Sequence, residues 1–132
     1  MSARGVLWRS PFGADAVAAG ALRLAEPRVG EDAVYWLEGL PEEGGRTTLM
    51  RAPPEGAPRS LLAAPWSIAS RVNEYGGGAY AITPNGTCWF VNGKDQALCR
   101  VRNGAVARVF RVDGLALGDL AWDAIRERVL AV

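Results

Sequence analysis

The chain has 132 residues, of which 49% are hydrophobic and 22% charged, with 15 basic and 14 acidic side chains and a net charge of +1; this is enough to bury a core, in one domain or in part of a larger one. The near-neutral balance and the scattering of Arg23, Arg46, Arg71, Arg100 and Arg126 argue against nucleic acid or an acidic membrane as a partner. There is no histidine, which removes Ser-His-Asp and Cys-His catalysis from this chain, and two cysteines give no basis for a zinc site or another cofactor.

Ser10-Pro11-Phe12-Gly13 reads as a turn, and Asp15 to Gly20 predicts a short helix on alanine density. The apolar stretch Ala14 to Ala25 is broken by Asp15 and Arg23, so it is neither a membrane span nor a secretion signal. A cytoplasmic protein is expected. From residue 21 the pattern becomes short strands divided by turn chemistry. Leu22 to Val29, Ala33 to Glu38, Thr47 to Arg51 and Arg59 to Leu62 make a first meander of four strands. A second follows in Ala79 to Ile82, Thr87 to Val91, Ala97 to Val101 and Ala105 to Val112. Asn103-Gly104 predicts a type I′ hairpin, in which both central residues need positive φ. A third begins with Asp119 to Trp122 and Val129 to Val132.

The segments RVGEDAVYWLE, AITPNGTCWFV and AWDAIRERVLAV share a strand, polar turn, apolar strand order. Four-strand repeats with a period of about 40 to 50 residues mark β-propeller blades. The expected fold is therefore all-β: a partial β-propeller of about 2.5 four-stranded antiparallel blades, with a short N-terminal helix. Residues 1–20 form an N-terminal segment and 21–132 the incomplete propeller. Blade one covers about 21–63, blade two about 78–112, and the start of blade three about 118–132. The final strand stops in mid-blade without a polar cap, which reads as the front of a longer protein.

The most specific stretch runs from Ser70 to Tyr80 and contains Arg71, Val72, Asn73, Glu74, Tyr75, Gly76, Gly77, Gly78 and Ala79. It resembles the R-V-H-E-Y-G-G-G-A-Y signature in the propeller of prolyl-oligopeptidase-family serine peptidases, in the acylaminoacyl-peptidase-like or dipeptidyl-aminopeptidase-like branch. Trp8-Arg9-Ser10-Pro11, Tyr35-Trp36-Leu37-Glu38, Glu43-Gly44-Gly45-Arg46 and Asp95-Gln96 with Leu98 and Arg100 resemble other family segments in the same order. Asn73 stands where the family has histidine; an amide keeps hydrogen bonding there but not an ionisable imidazole. The resemblance implies an N-terminal propeller followed by an α/β-hydrolase domain whose serine sits in a G-x-S-x-G elbow. This sequence has no such elbow.

The resemblance thus implies the front of a serine peptidase acting on peptides, gating access to a hydrolase domain absent from this chain, with no catalysis by the chain alone. The alternatives are a non-catalytic propeller scaffold that binds a partner protein, or a gene fragment without independent function. Arg71 and Glu74 are the candidate substrate-binding residues, through charge-assisted hydrogen bonds to a peptide terminus; the competing reading is a pair that pins the loop between blades. Asn73, Tyr75, Gly76, Gly77, Gly78 and Tyr80 form a structural motif, with the glycines allowing close backbone packing rather than cradling phosphate. Cys88 and Cys99 read as buried thiols, and Asn85-Gly86-Thr87 as a hairpin turn rather than a glycosylation site. Trp36, Trp89 and Trp122 are expected to pack blade on blade. Asp113, Asp119 and Asp123 lack calcium-loop spacing, so no metal is expected.

Overall fold

A computed structural model describes residues 22–72 and 77–132. The predicted N-terminal helix and Asn73, Glu74, Tyr75 and Gly76 lie outside the described residues. Among the described residues, ten strands form three antiparallel sheets. The first sheet is a meander of β1 (Arg23–Val29), β2 (Val34–Leu40), β3 (Arg46–Ala52) and β4 (Arg59–Ser60). The second repeats it with β5 (Tyr80–Ile82), β6 (Cys88–Val91), β7 (Leu98–Arg102) and β8 (Ala105–Phe110). The third contains β9 (Ala121–Asp123) paired with β10 (Arg128–Leu130). This is a partial, propeller-like fold.

Turn chemistry sets the strand ends. Asn103 and Gly104 have φ of 50° and 79°, the double positive φ that a type I′ turn requires. At Pro84-Asn85-Gly86 the Thr83 hydroxyl and the Asn85 side chain both accept from the Thr87 amide, at 3.1 and 3.2 Å, an Asx-type closure.

The second sheet lies between the other two. Its Tyr80, Cys88, Phe90, Cys99 and Val101 pack with Tyr35, Leu37 and Leu49 of the first sheet. Its opposite side offers Ala81 and Val91 to Leu120, with Leu98, Leu117 and Val129 partly buried around them. Cys88 pairs with Val101 and Phe90 with Cys99, so the two thiols sit on one face, offset diagonally. Both are free and buried, and burial pushes them up to about 12 and about 11, which keeps them protonated.

The strand tryptophans take unequal places. Trp36 and Trp89 align in the sequence repeat but face opposite ways. Trp36 pairs with Met50 on the face away from the second sheet, because the neighbouring Leu37–Leu49 pair is in the core. Trp89 pairs with Ala81 on the side of the third sheet. A shift of one residue reverses every side chain in a strand. The aromatic contact onto the second sheet is instead made by Trp66 of the segment joining the first two sheets, which meets Phe90 edge-on at 6.2 Å and 83°.

Candidate functional site

The first strand of each sheet, β1, β5 and β9, lies along one edge of the stack, and β5 and β9 are in contact. The segment joining the first two sheets returns the chain to this edge and carries the motif that begins at Ser70. Ile68 bridges to Asn92, and the Ala69 amide donates to the Val91 carbonyl at 3.2 Å. Gln96 ties the segment down. Its Oε1 accepts from the Arg71 amide at 2.8 Å, and its Nε2 donates to the Ala69 carbonyl at 3.1 Å. Gln96 is buried at φ 56°, so its side chain supplies bonds that strand pairing cannot.

Arg71 is exposed, and its guanidinium Nη2 donates to the Gly93 carbonyl at 3.2 Å. It stands over the turn between β6 and β7, in a cleft of about 320 Å³ that also holds Lys94, Asp95, Arg111 and Asp113. Glu74, its sequence-predicted partner, lies outside the described residues, as do Asn73, Tyr75 and Gly76.

Gly77 and Gly78 have φ of 120° and 54°. A Cβ on Gly78 would stand 2.4 Å from the Asp119 Cα, so only glycine fits there. That closeness lets the Leu120 amide donate to the Gly78 carbonyl at 2.8 Å. Tyr80 is fully buried, and its hydroxyl donates across to the Glu26 carbonyl of the first sheet. Burial raises the Tyr80 phenol well above its ordinary range. The Arg28 guanidinium lies 4.9 Å from the centre of its ring.

Glu26 is a site residue that sequence reasoning missed. It has φ 49° within a break of register between Ala25 and Arg28. Its Oε2 is buried with no hydrogen-bond partner among the described residues, and it borders a cleft of about 240 Å³ with Arg23, Thr47, Ser70, Gly77 and Ala79. The available signal was Pro27, since proline inside a strand marks a bulge or an edge.

These clefts offer charge and hydrogen bonding. The Ser70 hydroxyl is occupied in donating to the Leu117 carbonyl at 2.5 Å. Among the described residues no group of three or more His, Cys, Asp or Glu side chains is placed to hold a metal ion, and no helix is long and apolar enough to cross a membrane.

Comparison with known proteins links this geometry to peptidases. No family model and no curated protein matches the chain. Among solved structures it is similar to a puromycin-hydrolysing peptidase of Mycobacterium tuberculosis, with 33% identity and a TM-score of 0.82 over 95% of this chain and 21% of that one. It is also similar to a puromycin hydrolase solved as a serine-to-alanine mutant complexed with PGG, with 30% identity and a TM-score of 0.79 over 92% of this chain and 20% of that one. The chain therefore spans about a fifth of the length of each. Its propeller-like fold is thus similar to a part of puromycin-hydrolysing peptidases, in keeping with the resemblance to the prolyl oligopeptidase family.

Proposed function

We propose that this chain is the propeller portion of a bacterial, cytoplasmic serine peptidase that acts on short peptides and on puromycin. In this reading residues 21–63, 78–112 and 118–132 are successive blades, and their inner strands border the path to a hydrolase domain elsewhere in the polypeptide. The blades act as a size filter: extended peptides pass and folded proteins do not. The chain itself performs no acyl transfer, since it has no histidine to serve as the base. Arg71 and Glu74 contact a terminus of the substrate. The observation that carries the reading is the joint likeness of sequence and fold, 33% identity with a TM-score of 0.82, to a puromycin-hydrolysing peptidase. The exposed Arg71 guanidinium at the cleft beside Lys94 supports the placement of a substrate carboxylate.

The test is to express the complete reading frame that contains these residues beside the 132-residue chain. The long protein is expected to hydrolyse puromycin and aminoacyl-naphthylamides, to lose that activity to a serine-directed inhibitor, and to spare folded proteins. The short chain is expected to be inactive. A long protein without amide hydrolysis would overturn the reading in favour of a scaffold.

A further inference from the structure

At the end of the stack away from the Ser70 motif, a cleft of about 480 Å³ opens between the first two sheets. Its charged lining is Arg51, Arg59 and Asp32, and every other lining residue is uncharged. The pairing of β3 with β4 sets Arg51 directly opposite Arg59. Like charges in that position repel. Asp32 relieves only one of them. Its Oδ2 accepts from Arg51 Nη2 at 2.6 Å, and its Oδ1 accepts from the Tyr35 hydroxyl at 3.0 Å. Arg51 Nε also points at the Tyr35 hydroxyl, at 3.4 Å. Arg59 makes no ion pair and no side-chain hydrogen bond among the described residues. Across the cleft lies the Asn103-Gly104 turn of the second sheet.

Two guanidinium groups and one carboxylate leave a single net positive charge, in a space the size of a small molecule. A monoanion neutralises it; a phosphate dianion would leave excess negative charge beside Asp32. The planar fork of a guanidinium matches a carboxylate with two parallel bonds. We propose that this cleft binds a free carboxylate, held by Arg59 with Arg51 beside it. The site is separate from the inner strand edge and does not depend on the peptidase reading.

Arginine Nε–H resonances of the whole chain test this, followed at constant ionic strength during titration with four probes. These are acetate, an N-acetylated dipeptide acid, the C-terminal amide of that dipeptide, and inorganic phosphate. The acetate and dipeptide acid are expected to shift the Arg59 resonance saturably, and the amide to leave it in place. Arg59→Gln is expected to weaken the acid by about tenfold or more, the loss of one charge-assisted bond. Asp32→Asn is expected to tighten it, because a competing negative charge is gone. No saturable shift, equal binding by the amide, an unchanged affinity in Arg59→Gln, or phosphate binding more tightly than the acids would each overturn the proposal.

Discussion

Between the first and second sheets the buried side chains are large: Tyr35, Leu37, Leu49, Tyr80 and Phe90, with the Tyr80 hydroxyl reaching the Glu26 carbonyl. Between the second and third they are few and smaller: Ala81, Val91 and Leu120, with backbone meeting backbone at Gly78 and Asp119. The first junction gains its stability from apolar volume removed from water. The second relies on close approach and the Leu120 to Gly78 backbone bond. The same meander is thus joined to its two neighbours by different means, and perturbation should separate them.

The largest effect is expected from Phe90→Ala, about 4 kcal/mol, against about 2 kcal/mol for Leu120→Ala, because the cost follows the cavity left behind. Urea unfolding of both variants checks this, and equal losses would break the comparison. Gly78→Ala comes next, at about 2–3 kcal/mol, from a strained φ and a clash with fixed backbone. Hydrogen exchange should quicken at the Leu120 amide while the Leu61 amide, bonded to Leu49 in the first sheet, stays protected. Exchange rising equally in both would show a single cooperative block.

The smallest effect concerns Asp95 in the turn between β6 and β7. Burial pushes its carboxyl up, but bonds from Asn92 Nδ2 at 2.7 Å and the Ala97 amide at 3.2 Å, with the charge of Arg108, outweigh it and hold it below the usual range. A depressed value in the folded state means that the contribution is full above the unfolded carboxylate pKa, about 4. It is lost as the pH falls through the folded value. Asp95→Asn should therefore cost about 1 kcal/mol near neutral pH and little in acid. Stability measured from pH 7 down to pH 3 shows this as a shallower acid limb.

Strand order was legible because the turns announce themselves. Asn103-Gly104 and Pro84-Asn85-Gly86 mark two hairpins by residue type alone, and each strand between them alternates or runs apolar. The facing of the strands was less legible. Aligning Trp36 with Trp89 matches residue types, yet which side of a strand is buried depends on partners far along the chain. Of the motif, Gly78 could be anticipated, since a glycine run implies close backbone packing. The bonds from Gln96 to Arg71 and Ala69 could not, because a buried amide is recognised by the backbone groups that surround it. Pro27 could have flagged the irregularity at Glu26, but the buried Glu26 carboxylate shows only once β1 is paired with β2.

The near-contact of Gly78 with Asp119 has a geometric consequence. Sheets whose inner backbones touch are wedges, like the stones of an arch. The angle between neighbours is then set by how little material lies at the narrow end. Glycine is the thinnest residue available, so this position sets how closely the third sheet approaches the second. A single methyl group at residue 78 would wedge the third sheet away from the second at that edge.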